Sequence, residues 1–574
     1  MIDYLIEAAD LHAHLYRVTL RVPRPEALQR VSLPVWIPGS YMVREFSRHL
    51  SGLRARQGTR ACAVEQLDKC SWQLHCAGTA ALTLVYEVYA FDTSVRAAFL
   101  DLDRGFFNGS SLCLRVVGRE AEPQRLRLGR LPAGWQAATA MPPGAGRHEF
   151  VCADYDELVD HPVELGRFWR GEFSVRGVTH ELVVAGAWPN FDGARLLADT
   201  RRICEAQIGF WHGRGKPPMS RYVFLLNAVD DGYGGLEHRA STALICARRQ
   251  LPRVGVTETA DGYVTLLGLI SHEYFHTWNV KRLKPREFAR IDFGGENYTR
   301  LLWFFEGFTS YYDDLLLLRA GLIDAPRYLK LLAKTLHGVL ATPGRRVQSV
   351  AEASFDAWVK YYRSDENTPN ATVSYYAKGS LVALALDLSL RAAGRGSLDQ
   401  VMRLLWTRAA GGPLDEGDIA AALQQVAGRS MDSELAAWVH GTGELPLPPL
   451  LAQAGVRLQP EAAELAAELG LRVSEGALSG IHVKSVLRGG AAERAGLAAG
   501  DELLAVDGWR LRRLDDARAW TRAGQRVELT LVRDQRLRHL PLQLPAAAPG
   551  GLQLKLDEQP APAALALRRE WLGV

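Results

Sequence analysis

The chain has 574 residues, of which 48% are hydrophobic and 23% charged, and its formal net charge is +4. A chain of this length exceeds what one hydrophobic core supports, so several domains are expected, and the composition is that of a globular protein. The nearly balanced charge argues against nucleic acid or an anionic membrane as the main partner.

Cysteine usage and the start of the chain bear on its compartment. The seven cysteines are odd in number, lie far apart and include no C-x-x-C pair. This favours buried free thiols over disulfides or a second zinc site. Residues 1–10 lack a basic segment followed by an apolar one, and no apolar run long enough to span a membrane follows. The sequence therefore predicts a cytoplasmic protein without a transmembrane segment.

Residues 1–165 are predicted to form a β-rich N-terminal domain. Apolar and polar residues alternate at 16–22, and residues 82–89 are a second run of strand-favouring side chains. Prolines and glycines at 34–40 and Gly105 have the spacing of turns. We expect an antiparallel β-sandwich without a catalytic constellation.

Residues 166–448 are predicted to form a second domain, in which a few strands give way to long helices. A strand is predicted at 222–226 and a buried helix at 381–390, and Ser397 to Gln400 have the spacing of a capping box at the start of another helix. A stiff linker is expected at the prolines that follow, Pro446, Pro448 and Pro449.

The most informative sequence is HEYFH at 272–276, which follows the apolar run 264–270. On a helix, this spacing places His272 and His276 one turn apart on one face, where two imidazole nitrogens can bind one Zn²⁺ at about 2.0–2.1 Å. Glu273 would then lie beside a water molecule polarised by the metal and could accept its proton. The alternative is a core helix with two incidental histidines, but buried polar groups need partners. The pattern indicates a hydrolase with one zinc ion per chain.

A catalytic zinc site usually has a third protein ligand. Two glutamates follow the histidines: Glu296, after two glycines in a predicted loop, and Glu306, among aromatic residues in a predicted helix. An unpaired carboxylate is costly in apolar surroundings, and a metal ion removes that cost. We therefore favour Glu306, with Glu296 as the alternative. The helix that carries the histidines is expected to end by Pro285.

The sequence HEYFHTWNVKR at 272–282, followed by EGFTSYY from Glu306, resembles the gluzincin metallopeptidases, and most closely the PDZ-containing glycyl aminopeptidases of metallopeptidase family 61. The resemblance extends over most of the chain. It implies a multidomain α+β protein with an N-terminal antiparallel β-sandwich, a thermolysin-like zinc peptidase domain with a helical C-terminal part, and a C-terminal PDZ domain. It also implies Glu306 as the third zinc ligand, and as substrates peptides with small N-terminal residues such as glycine or alanine.

The sequence GGLEH at 234–238 is similar to the G-x-M-E-N motif of alanyl-type aminopeptidases. This similarity implies that Glu237 holds the substrate's α-ammonium group and that Gly234 and Gly235 are substrate-binding residues. Leucine replaces the methionine of that motif and His238 replaces its asparagine. A turn followed by solvated polar residues is the alternative.

The sequence YYAKG at 375–379 looks like the Y-x-K-G element of the same enzymes. The likeness implies that Tyr376 donates a hydrogen bond to the oxyanion of the tetrahedral intermediate. Tyr375 is the other candidate, and a packed core tyrosine is the structural alternative. Asp313 lies seven residues after Glu306, on a similar face of the predicted helix, and could accept the second N–H of a zinc-bound histidine. The alternatives there are its neighbour Asp314 and plain solvent exposure.

Residues 449–545 are predicted to form a PDZ domain, and residues 546–574 a C-terminal tail. The sequence at 489–508 strongly resembles the PDZ signature A-x-x-A-G-L-x-x-G-D, in which glycines serve turns between short strands. Such domains add an extended chain end as a strand, so protein or peptide C-termini are the implied partners. The candidate groove residues are Gly470, Leu471 and Val473.

Three further readings stay open at this level. The apolar end of this chain, residues 571–574, could occupy the PDZ groove. The enzyme could be an endopeptidase to which the PDZ domain delivers protein C-termini. It could also be a PDZ-centred scaffold with an inactive peptidase domain, although the intact ligand set argues against that.

Overall fold

The computed structural model describes residues 1–476, 478–546 and 551–574. They form two compact units. The first consists of Met1–Tyr298, Arg319–Leu322 and Trp406–Leu414, and the second of Thr299–Leu318, Ile323–Leu405 and Asp415–Val574. Their main boundary, at Tyr298, lies inside the domain predicted at 166–448, and the predicted domain limits stay predictions.

The first unit begins with a β-rich region of three sheets. Every second side chain of Leu15–Val22 is buried, and Leu82–Tyr89 has the same alternation and the predicted bounds. Strands in these sheets pair antiparallel, except that Ile2–Asp10 and Gln124–Leu128 run parallel. The predicted β-rich N-terminal domain is confirmed.

The strands of these sheets follow in spatial order. The seven-stranded sheet contains Glu149–Cys152, Gln124–Leu128, Ile2–Asp10, Leu15–Val22, Leu82–Tyr89, Leu50–Gln57 and Arg60–Cys62. The four-stranded sheets contain Gln136–Ala138, Val163–Gly166, Arg104–Phe107 and Ala98–Leu100, and Arg115–Val116, Leu28–Ser32, Ser71–His75 and Val64–Gln66. The short helices between them are Phe46–His49, Gly109–Leu112 and Tyr155–Val159.

A five-stranded mixed sheet follows in the first unit. Its spatial order is Trp169–Val175, Val178–Ala185, Arg221–Val229, Ser241–Ala247 and Tyr233–Glu237. The three central strands are parallel, and Tyr233–Glu237, here called the edge strand, closes one side antiparallel. The predicted strand at 222–226 is confirmed within Arg221–Val229.

Two helices accompany this sheet. Gly193–His212 packs against Trp169–Val175, and Asp261–Phe275, here called the histidine helix, packs against the two strands at the other side of the sheet. The histidine helix ends at Phe275, ten residues before Pro285, so Pro285 is not its stop as expected. Its end is instead a series of tight turns, in which backbone N–H groups of residues 276–279 still bond to carbonyls of the last turn.

The second unit is helical up to residue 453. Two of its helices are named here, the glutamate helix Leu302–Arg319 and the tyrosine helix Tyr375–Ala392, which includes the helix predicted at 381–390. The other α-helices are Ala325–Leu340, Val350–Phe355, Thr368–Ala371, Leu398–Ala409, Glu416–Ala427, Asp432–Leu435 and Leu447–Gln453, and short 3₁₀ or π turns lie at Pro343–Arg346, Asp356–Trp358 and Ala436–His440. At the start of Leu398–Ala409, the Gln400 side chain accepts the Ser397 N–H at 3.0 Å, which is one half of the predicted capping box.

The expected proline linker is wrong. Leu447–Gln453 is a helix that has Pro446 as its N-cap and Pro448 and Pro449 in its first turn, and it buries Leu447, Leu450 and Leu451. Proline is favoured in the first helical turn, because the N–H that it lacks has no partner within the helix there. Three prolines in four residues therefore mark a helix start.

The predicted PDZ domain is confirmed as a small β domain with its own core. Its sheet contains, in order, Leu471–Gly476, Gly480–Val486, Glu502–Val506, Arg526–Arg533 and Arg536–Gln543, with Trp509–Arg510 paired to Glu502–Val506. Its helices are Leu465–Leu469, Ala491–Ala495 and the 3₁₀ helix Leu514–Ala519.

The PDZ domain is attached at both ends. Val456–Glu461, which precedes it, pairs antiparallel with Gly551–Leu556, which follows it. The chain then returns to the helical part as the helix Pro562–Leu572. There Trp571 is buried, and its Nε1–H donates to the hydroxyl of Tyr311 at 3.2 Å.

The idea that the chain end fills the PDZ groove is therefore wrong, because Trp571 and Leu572 belong to the helical core. The seven cysteines are free thiols, as predicted, and five are buried. Among the described residues, no helix combines the length and the apolar character needed to cross a lipid bilayer.

Candidate metal centre and active site

The histidine helix ends at the predicted metal ligands. Ten of its fifteen residues are buried, which fixes the helix against the sheet. His276 caps the helix in helical conformation, and its N–H bonds to the carbonyl of His272 at 3.3 Å. The one-turn spacing of the two histidines therefore persists at the helix end.

The two imidazole rings converge. Nε2 of His272 lies 3.1 Å from Nε2 of His276, which is 1% exposed. Nδ1 of His276 lies 2.8 Å from the carbonyl oxygen of Asn279 and donates to it, because that oxygen only accepts. In the neutral ring, Nε2 is then the nitrogen that carries the lone pair, the form in which histidine binds a metal. Two imidazole nitrogens with carboxylates nearby are a donor set suited to Zn²⁺.

Glu273 faces the edge strand. Its side chain is 5% exposed, and a Cβ atom on Gly235 would overlap its carboxylate. Glycine at this position therefore lets the strand backbone approach the carboxylate. Gly234 differs, because a Cβ there would meet Arg96 only at an ordinary 3.6 Å.

Glu237 ends the edge strand and is 4% exposed. Ligand atoms of Glu237, Glu273 and His276 all lie within 4.8 Å of one another. Gly39, in the turn at residues 38–40 of the β-rich region, approaches Glu237 so closely that a Cβ on it would overlap the carboxylate. With φ at +96°, Gly39 also has a backbone conformation that favours glycine. The first unit thus assembles two carboxylates and two imidazoles.

Glu306 and Tyr376 come together in the second unit. Glu306 is 2% exposed on the glutamate helix, with Phe304, Phe305 and Phe308 around it in sequence. Burial, and then the negative charge of Glu306, hold the pKa of Tyr376 well above its usual value. The phenol therefore keeps its proton at neutral pH and can donate a hydrogen bond.

Tyr376 belongs to a cluster of tyrosines. Its hydroxyl lies 3.2 Å from that of Tyr362, and its ring stacks on Tyr361 with a centroid distance of 5.4 Å. Tyr375, the other candidate, is fully buried. Of the two, Tyr376 is the partly exposed one.

Two glycines set the crossing of the glutamate and tyrosine helices. A Cβ on Gly307 would lie 2.6 Å from the backbone of Gly379, and one on Gly379 would lie 2.6 Å from the carbonyl oxygen of Trp303. The helices therefore touch backbone to backbone, directly beside Glu306 and three residues after Tyr376. This close approach explains why glycine occupies both positions, Gly307 in the E-G-F sequence and Gly379 in the A-K-G sequence.

The remaining candidates are placed as follows. Glu296 is exposed in a loop, whereas Asp313 is partly buried on the glutamate helix and accepts the N–H of Asp314 at 2.6 Å. In the PDZ domain, Gly470 has φ of +75° at the end of a helix, directly before the sheet-edge strand Leu471–Gly476. The predicted groove residues thus lie at an unpaired edge of the described sheet.

Sequence reasoning missed two features of the first unit. The turn that carries Gly39 belongs to the β-rich region, and nothing in its local pattern links it to Glu237. No local pattern singles out Asp160, which contacts His238 and Lys281, because its partners lie 78 and 121 residues further along the chain.

Family models match most of the chain. Residues 3–167 match the peptidase M61 N-terminal domain, residues 265–382 match M61 glycyl aminopeptidase, and residues 482–533 match a PDZ domain. No curated protein matches the sequence significantly.

Solved structures are also similar. An aminopeptidase N family protein from Idiomarina loihiensis has 37% identity and a TM-score of 0.95, with 100% of both chains covered. An M1 zinc metallopeptidase from Deinococcus radiodurans has 15% identity and a TM-score of 0.48, with 78% of this chain and 95% of the other covered.

Proposed function

Because the chain belongs to the M61 glycyl aminopeptidase family of metallopeptidases and carries a PDZ domain, we propose that it is an aminopeptidase. It hydrolyses the first peptide bond of peptides whose N-terminal residue is small, glycine or alanine. The observation that carries the proposal is the convergence of the histidine pair with Glu273 and Glu237 in the first unit.

The proposed metal is one Zn²⁺ per chain, held by His272, His276 and Glu306. In support, the imidazoles of His272 and His276 converge in the first unit, and Glu306 is a buried carboxylate on the glutamate helix of the second. The carboxylate of Glu306 is 2% exposed, and a metal ion stabilises a buried negative charge. When bound, zinc would polarise the scissile carbonyl and lower the pKa of water. Asp313 is proposed to orient one of the histidines.

Glu273 is the proposed general base. Its carboxylate is buried beside the imidazole of His276, where it can take a proton from the attacking water and later give it to the leaving amine. Tyr376 is the proposed oxyanion donor, since its phenol keeps its proton and lies close to Glu306.

Glu237 is the proposed anchor for the substrate's α-ammonium group. It is buried at the end of the edge strand, within 4.8 Å of a carboxylate oxygen of Glu273. Two buried carboxylates at this spacing repel each other, and a cation between them relieves that repulsion. An ammonium group is such a cation, and a peptide bound by it presents its first peptide bond. Gly235 permits the close approach of the strand, and Gly234 continues the same strand.

The PDZ groove at Gly470, Leu471 and Val473 is proposed to bind protein or peptide C-termini by strand addition. The support is the position of this segment at the edge of the PDZ sheet, directly after a helix end with a glycine.

A panel of free and N-acetylated peptides tests the function. We expect release of N-terminal glycine and alanine from free peptides, no cleavage of the acetylated ones, loss of activity on chelation and recovery on addition of zinc. Internal cleavage of acetylated peptides would instead support a PDZ-tethered endopeptidase and remove the role assigned to Glu237. Absence of zinc together with full activity of Glu273→Gln would overturn the hydrolase mechanism.

A further inference from the structure

One buried carboxylate ties the edge strand to the segment after the histidine helix. Asp160 ends the short helix Tyr155–Val159 of the β-rich region. Its Oδ1 accepts from Lys281 Nζ at 2.7 Å and lies 3.1 Å from Nδ1 of His238. Its Oδ2 accepts from both Nε and the backbone N–H of Arg239, at 2.9 and 3.2 Å.

The hydrogen bonds of Asp160 are strengthened by burial and by charge. Asp160 is 9% exposed and His238 only 1%. Burial by itself would raise the pKa of Asp160, but Lys281, His238 and Arg239 hold that pKa well below its usual range. Burial lowers the pKa of His238 to about 4, so this imidazole is neutral at pH 7. A charged carboxylate is thus held by hydrogen bonds from three residues in a place with little water.

A second connection runs parallel to the first. Nη1 of Arg282 donates to the carbonyl oxygens of Arg239, at 3.1 Å, and of Thr277, at 2.7 Å. Thr277 directly follows His276, and the N–H of Lys281 bonds to the carbonyl of His276 at 3.1 Å. The end of the edge strand and the turn after the histidines are therefore joined at two points.

The joined segments carry groups of the active site. Glu237 directly precedes His238, and its carboxylate lies within 4.8 Å of ligand atoms of Glu273 and His276. Glu237, Asp160 and Lys281 also line one cavity, of about 90 Å³. Since Glu237 and Glu273 are both buried and lie close together, the position of the strand end sets the distance between the two carboxylates.

We propose that Asp160 is a positioning residue that sets the distance between Glu237 and the histidine pair. It acts through His238 and Arg239 on one side and through Lys281 on the other. The inference rests on the proposed function, because it takes Glu237 as the anchor of the substrate's ammonium group. It assigns a role to the lysine and arginine of the HEYFHTWNVKR sequence, which the proposed mechanism leaves without one.

The test compares two inhibitors that differ only in the amine. Glycine hydroxamate and acetohydroxamate carry the same metal-chelating group, but only the former has an ammonium group for Glu237. The ratio of their inhibition constants therefore reports amine anchoring, and it is independent of the fraction of active enzyme. In the zinc-loaded wild type we expect glycine hydroxamate to bind at least about tenfold more tightly, since a charge-assisted contact is gained.

Asp160→Asn and Lys281→Met should each reduce this ratio severalfold and raise KM for free glycyl substrates by about tenfold, with a smaller change in kcat. The double variant should be no worse than the poorer single variant, because both break one connection. If Asp160→Asn does not fold, the same measurements on Lys281→Met test the proposal. Asp156→Asn is the matched control: Asp156 lies one turn earlier and also lines the cavity, but it forms no hydrogen bond with His238, Arg239 or Lys281 among the described residues, so the ratio should be kept.

The outcomes separate the two levels of the hypothesis. A wild-type ratio near one would overturn Glu237 as the amine anchor, and with it the proposed function. A large wild-type ratio that both variants keep, whatever their loss of stability or total activity, would overturn the positioning role of Asp160 alone.

Discussion

Two regions of the molecule hold buried carboxylates by opposite means. In the first unit, Glu273 and Glu237 lie close together, and the strand that carries Glu237 is held by the ion pairs of Asp160. In the second unit, Glu306 lies among aromatic rings on a helix that crosses its neighbour at two glycines. The first region depends on charge and hydrogen bonds, whereas the second depends on shape.

This difference predicts how each region responds to change. Hydrogen-bonded charges tolerate no change of charge, even when the volume is kept. Close-packed backbones tolerate no added volume, even when no charge is involved. Substitutions can therefore be chosen that damage one region and spare the other.

The largest effect is expected from Glu273→Gln, which keeps the shape of the side chain and removes its charge. Because the proposed general base is lost, kcat should fall by about 10³-fold. Metal content, measured on the purified protein, should stay unchanged. Glu296→Gln, the same change on an exposed loop, is the control and should be as active as the wild type. A loss of zinc in Glu296→Gln would return Glu296 to the ligand set.

Tyr376→Phe probes the second region by removing one hydroxyl and keeping the ring. We expect kcat to fall by about 10²-fold with little change in KM, because the donor acts on charge that develops in the transition state. Tyr375→Phe is the matched comparison on the same helix. If Tyr375→Phe lost activity while Tyr376→Phe kept it, the oxyanion role would pass to Tyr375.

Gly307→Ala tests whether shape governs the helix crossing. A methyl group there would overlap the backbone of Gly379, so we expect a loss of about 3 kcal/mol in the free energy of unfolding. Gly338→Ala is the control, because a Cβ at Gly338, inside the helix Ala325–Leu340, meets no atom within 4 Å. It should stabilise the protein by about 0.5–1 kcal/mol, and equal effects of both changes in denaturant unfolding would contradict the steric account.

Acid should lower the folding stability of the first unit through His180. This histidine is fully buried, and its Nε2 lies 2.8 Å from the hydroxyl of Tyr274. Burial lowers the pKa of His180 to about 4. Between its unfolded pKa of about 6.5 and pH 4, the unfolded chain binds a proton that the folded chain does not, so stability falls as the pH falls. The loss from this one group should be on the order of 2 kcal/mol between pH 6.5 and 5, at about 1.4 kcal/mol per pKa unit.

Unfolding free energies of wild type and His180→Gln over this pH range check the value. His180→Gln keeps a hydrogen-bonding side chain but does not titrate there, so its stability should depend less on pH. The exposed His12→Gln should retain the full wild-type dependence. Identical pH profiles for all three proteins would refute the assignment to His180.

The sequence predicted the elements that have a local pattern. The strand at 82–89 has the predicted bounds, because strand-favouring residues continue over its whole length and every second side chain is buried. His272 and Glu273 lie on a helix as predicted, although that helix ends at Phe275 and not near Pro285, and Glu306 lies on a helix while Glu296 lies on a loop. The prediction of a linker at the proline-rich stretch was wrong. Prolines that start a helix and prolines that stiffen a linker have the same local pattern, and only the packing of the following residues distinguishes them.

The rest depends on contacts between distant parts of the chain. Gly39 approaches Glu237 from almost two hundred positions away in the sequence, and no local rule marks that glycine as different from other turn glycines. Gly307 and Gly379 could be explained only once the crossing of their helices was known. The sequence thus identified chemical groups, while the tertiary fold decided which of them meet.

The two-stranded ribbon of Val456–Glu461 and Gly551–Leu556 gives the PDZ domain an entry and an exit at the same place. A domain attached by one flexible linker would take many orientations and would raise only the local concentration of the peptide that it binds. Here the returning helix Pro562–Leu572 is anchored through Trp571 to Tyr311, which lies on the glutamate helix itself. A peptide bound by this module would therefore be restricted in its orientation relative to the glutamate helix, which a single tether would not achieve.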